Sequence, residues 1–154
     1  MALGLTGVLR PSARRRRAEA REEARRRDRR FDELRAVIDA ACMALVSASG
    51  RSPDTGGTVR HQDAGHQAQR MAEAAREVDA AGTRMAARLG ADHEIVQRYD
   101  EIRRCMQAMV SALRRGARTG SLDAGEIQDL QERLEQAQGT FFEGVALGGR
   151  QQAD

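Results

Sequence analysis

Apolar residues recur every three or four positions in four stretches of this chain, with mostly polar residues between them. Apolar side chains at that spacing lie on one face of an α-helix, so the pattern predicts four amphipathic helices. In chain order, the predicted apolar faces are Phe31, Leu34, Ile38, Ala41 and Leu45; Met71, Ala75, Val78, Gly82, Met85 and Leu89; Ile95, Tyr99, Ile102, Met106, Met109 and Leu113; and Ile127, Leu130, Leu134, Ala137, Phe141 and Val145.

Glycine and proline separate the predicted helices. The stretch SASGRSPDTGGT (47–58) interrupts the first helix, and RRGARTGS (114–121) separates the third from the fourth. The last residues, 149–154, are expected to form a disordered tail.

Residues suited to helix ends mark two of the boundaries. Gly90 can end the second helix in the left-handed conformation, and Asp92 can cap the start of the third. Asp123 and Glu126 have the spacing of a capping box at the start of the fourth helix. The connections on both sides of the third helix are therefore short.

The apolar faces, here called seams, have residues that are alternately three and four positions apart. Together with the short connections, they predict an all-α fold. We expect an antiparallel bundle of three or four helices with coiled-coil-like packing and a long Arg-rich first helix. The predicted organisation is a basic arm or helix extension (1–30), a helical bundle (31–148) and the tail. Because alanine and glycine occupy several seam positions, the core is expected to be thin. A homo-oligomer is therefore an alternative to a monomer.

Positive charge is concentrated near the N-terminus. Residues 10–35 contain 12 arginines and 6 acidic residues, whereas residues 36–154 contain 14 arginines and 17 acidic residues. Such a charge asymmetry often marks an element that binds nucleic acid or a membrane surface. The candidate polyanion-binding residues are Arg14, Arg15, Arg16, Arg17, Arg21 and Arg25.

Three interpretations of this arm stay open. Glu22 with Arg26, and Glu23 with Arg27, are four residues apart in the order that stabilises an exposed helix, so the arm can be only a solvated extension. Its arginines, beside the apolar segment MALGLTGVL (1–9), can instead contact an anionic membrane surface. They can also contact nucleic-acid phosphates, although the chain has no asparagine or tryptophan for reading bases or stacking on them.

Residue types that several enzyme classes require are absent or scattered. The chain has no lysine, which excludes Schiff-base chemistry and a phosphate-loop lysine, and it has no Gly-x-Ser-x-Gly motif. His61 and His66 fall in or beside a loop, where Asp63 with His66 offers only a weak metal site, and His93 is expected on the surface of a first turn. We therefore predict a non-enzymatic protein with no catalytic residue, metal site or cofactor.

The sulfur-containing residues fall within predicted helices. We expect Cys42 and Cys105 to be buried free thiols, with an inter-helix disulfide as the alternative. Four methionines at helical spacing are expected to fill the core, although they could form a plastic groove for a partner helix. These methionines are Met71, Met85, Met106 and Met109.

The apolar N-terminal segment is too short to cross a bilayer, which takes about 20 residues. Its arginines follow the apolar run, whereas in a secretory signal they precede it. We therefore expect a cytoplasmic protein that can lie at the periphery of a membrane.

The sequence RRRRAEAREEARRRDRRFDELRAVIDA, together with LGADHEIVQRYDEIRRCMQAM, resembles a group of small, uncharacterised all-helical actinobacterial proteins. In that group an N-terminal hydrophobic segment precedes an arginine-rich helix and three further helices. The resemblance covers most of the chain and implies the fold, but it implies no activity. Members often carry a full transmembrane helix before the arginines, and here only MALGLTGVL stands in its place.

Taken together, these features favour a helical interaction protein. We expect it to associate with a protein partner or with itself through its helix seams, while the arginine-rich arm contacts a membrane surface or an acidic partner. The alternative is a nucleic-acid-binding protein in which the same arm contacts phosphates.

Overall fold

The computed structural model describes residues 11–49 and 61–150, and these residues form four α-helices without a strand. The helices are α1 (Pro11–Ser49), α2 (His61–Leu89), α3 (Glu94–Thr119) and α4 (Ala124–Arg150). The all-α class is confirmed. The predicted apolar segment 1–9 and most of the predicted loop 47–58 lie outside the described residues, whereas residues 149 and 150, predicted in the tail, belong to α4.

The chain divides into two units, residues 1–35 and residues 36–154. In the first unit, the described residues are the N-terminal part of α1. Proline suits the first position of a helix, where no backbone N–H is needed, and the alanines, arginines and glutamates that follow Pro11 are strong helix formers. Phe31, predicted as the first residue of a buried face, is 44% exposed. On that face, Ile38 is half-buried and full burial begins at Ala41.

The second unit is a helical bundle with α3 at its centre. Helix α3 contacts α2 on one side and α4 on the other. Gly82 of α2 lies against Tyr99 of α3, and Phe141 of α4 packs on the same tyrosine, so each neighbour runs antiparallel to α3. Three residues of α1 complete the hydrophobic core, namely Ala41, Leu45 and Ala48.

The buried face of α3 is wider than the single stripe that the sequence predicts. Because α3 packs against two helices, residues beside the stripe are also buried, whereas Ile95 at its start is only half-buried. The buried residues of α3 are Val96, Tyr99, Ile102, Cys105, Met106, Met109, Val110, Ala112, Leu113 and Gly116.

The buried face of α2 includes the predicted Met71, Val78, Gly82 and Met85 and is wider than the predicted seam. Ala74 and Ala81 are buried, while the predicted Ala75 is half-buried. The small side chains of Ala74 and Ala81 let α2 approach α3 closely, so the larger side chains at this contact come mostly from α3. The four methionines singled out in the sequence have at most 1% of their surface exposed, which confirms that they fill the core.

The turn between α2 and α3 differs from the prediction in one detail. Gly90 adopts the left-handed conformation with φ of 92° and ends α2, as expected. The cap of α3 is His93 and not Asp92, because α3 begins at Glu94 and Asp92 falls in the middle of the turn. The backbone N–H of Ile95 donates to His93 Nδ1 at 3.2 Å.

The break between α3 and α4 is shorter than predicted. Helix α3 continues to Thr119 and ends at Gly120, with φ of 67°. Gly116, predicted in the break, lies within α3, and its missing side chain leaves room for Leu122. A Cβ at Gly116 would lie 2.5 Å from Leu122 Cδ1 and 3.3 Å from its Cα. The sequence predicted that Gly116 interrupts the helix, whereas the structure shows that this glycine allows a close contact with Leu122.

The start of α4 forms half of the predicted capping box. The backbone N–H of Glu126 donates to Asp123 Oδ1 at 3.1 Å, which satisfies one of the free donors at the helix N-terminus. The Glu126 carboxylate does not complete the box. It accepts from Arg115 of α3 at 2.5 Å, so the side chain ties two helices together.

Candidate polyanion-binding surface

The predicted arginines lie on more than one face of α1. Arg17, Arg21 and Arg25 are spaced four residues apart, which places them on one face, about 6 Å from one to the next. Arg15 and Arg16 lie on other faces. We call Arg17, Arg21 and Arg25 the arginine stripe. Arg14 belongs to α1, but its side chain lies outside the described part of the chain.

The arginines of the stripe and their neighbours differ in their partners. Arg15 pairs with Glu19 at 3.2 Å and Arg26 with Glu22 at 3.3 Å, each four residues apart on an exposed surface. Exposed pairs of this kind contribute only a few tenths of a kcal/mol. Within residues 15–35, no ion pair joins a carboxylate to the arginine stripe, and all three of its side chains are exposed.

Acidic residues approach the arginine stripe at its Arg25 end. Glu19 and Glu23 lie on the opposite side of this part of α1. Glu22, three positions before Arg25, and Asp28, three positions after it, are neighbours of Arg25 on the helix surface. The stripe presents three arginines along about 12 Å of α1.

A second charged cluster joins α2 to α3. Arg103 donates from Nε to Asp79 Oδ1 at 2.9 Å and from Nη1 to Asp100 Oδ1 at 2.6 Å, while its Nη2 also reaches Asp79. The hydrogen bond from Arg103 to Asp79 raises the pKa of the guanidinium. Because these groups satisfy one another, the cluster acts as a clamp between two helices.

Tyr99 lies beside this clamp and is fully buried. Its ring packs edge-on against Phe141, with ring centroids 5.1 Å apart. The hydroxyl has no hydrogen-bond partner among the described residues. Burial, and secondarily Cys42, raises the pKa of Tyr99, so the phenol stays protonated throughout the physiological range.

The two cysteines are free thiols, and no disulfide joins them. Cys105 is buried as predicted, but Cys42 is only half-buried. Burial is the main cause that raises the pKa of both thiols. A raised pKa keeps a thiol protonated and unreactive, so neither cysteine has the environment of a nucleophile.

His61 is the first residue of α2, and His66 lies within its second turn. In the part of the chain that the structure describes, no three side chains of His, Cys, Asp or Glu gather as metal ligands would. Within the same residues, no helix contains a stretch that is both long and apolar enough to cross a bilayer.

Apolar side chains that stay exposed on the second unit do not belong to the predicted seams. Met43 and Val46 of α1 are 67% and 60% exposed, and Phe142 and Leu147 of α4 are 39% and 58% exposed. The central seam residues are buried in the chain's own core. The exposed large apolar side chains described on the second unit therefore belong to α1 and α4.

Comparisons with known proteins do not extend this picture. No protein-family profile, curated protein or solved structure matches this chain. The resemblance to actinobacterial helical proteins stays a prediction, and function has to be argued from the residues themselves.

Sequence reasoning identified the arginine-rich helix, but it grouped six arginines without separating the faces. The spacing of four residues between Arg17, Arg21 and Arg25 carries that information. It missed the clamp of Arg103, whose partner Asp79 is 24 positions away. No local pattern marks such a pair, because the helix contact that joins them is set by the fold.

Proposed function

We propose that the protein is a non-enzymatic helical interaction protein that contacts an anionic membrane surface through the arginine stripe. The observation that carries this proposal is the arginine stripe of α1, where the exposed side chains of Arg17, Arg21 and Arg25 have no carboxylate partner among the described residues. Three arginines in line on a straight helix can contact a flat surface at the same time. The clamp of Arg103, by contrast, is internally satisfied.

The chemistry of the stripe favours electrostatic contact without insertion. The other residues near it are alanines and charged residues, so this part of α1 has no bulky apolar side chain to place among acyl chains. Each basic residue near an anionic bilayer contributes about 1 kcal/mol, and three would strengthen binding roughly 100-fold. Such binding falls as salt screens the charges.

Vesicle co-sedimentation of the full chain tests the proposal. The vesicles contain phosphatidylserine and phosphatidylcholine, and vesicles of phosphatidylcholine alone serve as the uncharged reference. The stripe variant changes Arg17, Arg21 and Arg25 to glutamine. The control variant changes Arg16, Arg27 and Arg30, on the other side of the helix, to glutamine and so removes the same total charge.

The stripe variant should lose roughly 100-fold in binding to the anionic vesicles, and the control variant should lose much less. Equal losses would show that total charge matters and not the face, which would refute the proposed geometry. Binding of the full chain to duplex DNA in preference to vesicles, with the same dependence on the stripe, would transfer the function to nucleic acid.

We also propose that the bundle associates with a protein partner or a second copy through its exposed apolar side chains. Met43 and Val46 are three residues apart on α1, on the side away from the buried Ala41 and Leu45. Sedimentation velocity of the wild type and of a variant with Met43→Gln and Val46→Thr tests this. A larger species that the substitutions dissociate supports self-association, and a monomer at all concentrations would contradict it.

A further inference from the structure

The groove between α2 and α3 differs in charge from the other grooves described on the second unit. Its volume is about 830 Å³, which lies within the range of about 300–1,000 Å³ that is common for ligand sites. Both helices contribute to it, at the end of the bundle where α2 begins and α3 ends. It is lined by Gly65, Ala68, Gln69, Ala72, Arg76, Ser111, Arg114, Arg115, Ala117 and Arg118.

Four of these residues are arginines and none is acidic. The groove of about 450 Å³ between α3 and α4 has two arginines together with Asp123, Glu126 and Asp129. A third groove, of about 410 Å³, combines three arginines with Glu94 and Glu101. Of these three, only the groove between α2 and α3 is lined by arginines and by no acidic residue, and concave surfaces with one sign of charge attract anions.

Three of the four arginines are free to bind a ligand. Arg115 is already engaged, because it donates to Glu126 at 2.5 Å. Among the described residues, no ion pair or hydrogen bond engages the side chains of Arg76, Arg114 and Arg118. Arg118 lies in the last turn of α3, where the negative end of the helix dipole stabilises a basic side chain. The helix dipole does not explain Arg76, in the middle of α2.

These three arginines are distributed along the groove. Arg114 and Arg118 are four residues apart, so their positions on α3 are about 6 Å from each other. Arg76 approaches from α2, across a floor that includes the small residues Ala68 and Ala72. A small-residue floor allows a ligand to come close to the backbone, while three guanidinium groups can each donate two hydrogen bonds to phosphate oxygens.

The lining also indicates which part of a ligand is recognised. No aromatic side chain lines the groove, so nothing there can stack on a base. The Ser111 hydroxyl donates to the Gln107 carbonyl at 2.9 Å, which leaves its oxygen as an acceptor rather than a donor towards the groove. Recognition would therefore depend on the arginines and on the negative charge of the ligand.

We propose that the groove between α2 and α3 is a binding site for linked phosphates, held by Arg76, Arg114 and Arg118. This site is separate from the arginine stripe, because all of its residues belong to the second unit. Free polyphosphate and the triphosphate of a nucleotide share the chemistry in question. The absence of an aromatic lining residue predicts that both bind with similar affinity.

Isothermal titration calorimetry of the full chain with sodium tripolyphosphate tests the site. Charge-assisted hydrogen bonds contribute about tenfold or more each, so a variant with Arg76, Arg114 and Arg118 changed to glutamine should bind at least about 100-fold more weakly. The stripe variant removes the same charge elsewhere and should stay within about twofold of the wild type. Conversely, the groove variant should keep its binding to anionic vesicles.

Three results would overturn the proposal. They are absence of binding by the wild type at millimolar tripolyphosphate, an equal loss in both variants, and a loss confined to the stripe variant. Separate titration with a nucleoside triphosphate assigns the source of the phosphates. Similar affinity for the two supports recognition of the phosphates alone, whereas much tighter binding of the nucleoside triphosphate would contradict it.

A second measurement avoids substitutions that could disturb folding. Phenylglyoxal modifies accessible arginines, and mass spectrometry locates the modified positions. Tripolyphosphate should protect Arg76, Arg114 and Arg118 of the wild type, while Arg17, Arg21 and Arg25 are modified at an unchanged rate. Protection of the stripe without protection of the groove would contradict the proposal.

Discussion

Gly82→Ala should destabilise the bundle, although alanine normally strengthens a helix. A Cβ at Gly82 would lie 2.9 Å from Arg103 Cδ and 3.0 Å from two ring carbons of Tyr99. Neither neighbour can move freely, because Tyr99 is fully buried and Arg103 is held by Asp79. Overpacking costs about 1–3 kcal/mol, and the higher helix propensity of alanine offsets about 1 kcal/mol. We expect a net loss of up to about 2 kcal/mol in the free energy of unfolding.

Gly139→Ala is the matched control. Gly139 lies within α4, and a Cβ there would meet no atom within 4 Å. The same substitution should therefore stabilise the protein by about 0.5–1 kcal/mol. Urea unfolding followed by far-ultraviolet circular dichroism gives both values, provided that the slope of free energy against urea is unchanged. A Gly82→Ala variant as stable as Gly139→Ala would refute the close approach of α2 and α3.

Three further substitutions test the core, the tyrosine hydroxyl and a helix cap by the same unfolding assay. Phe141→Ala should cost about 3–5 kcal/mol, since the ring is fully buried against Tyr99, and a loss below about 1 kcal/mol would contradict that packing. Tyr99→Phe should leave stability at neutral pH unchanged or raise it by about 1 kcal/mol, because it removes a buried hydroxyl without a partner among the described residues. Because the pKa of Tyr99 is raised in the folded state, its phenol stays protonated at a pH at which the unfolded chain loses the proton. The free energy of unfolding of the wild type should therefore fall as pH rises above about 10, and this fall should be smaller in Tyr99→Phe. Asp123→Ala should cost about 1 kcal/mol through loss of the cap of α4, and no change would show that solvent replaces its hydrogen bond.

Helix number and type could be predicted from the sequence because the apolar period is regular. The stripe from Ile127 to Phe141 marks the buried side of α4 correctly, since α4 contacts one helix strongly. The same reasoning gave too narrow a face for α3, because a single stripe cannot reveal that two helices pack on it. It also treated Gly116 as a break, since only the folded position of Leu122 shows why glycine is needed there.

The candidate sites were predictable to different degrees. The arginine-rich helix follows from composition, and its stripe from a spacing of four. The arginines of the groove could have been noticed in the sequence, because residues 102–122 contain several arginines and no acidic residue. Their convergence with Arg76 depends on the pairing of α2 with α3, which no local pattern specifies.

The central position of α3 has a consequence for how the bundle folds. Its contacts with α2 and α4 join neighbours in the chain across turns of a few residues, so closing them costs little loop entropy. Contacts that are local in sequence favour rapid folding. Whichever helical hairpin forms first, α2 with α3 or α3 with α4, it presents a preformed α3 surface to the remaining helix. Either order of assembly thus leads to the same packing.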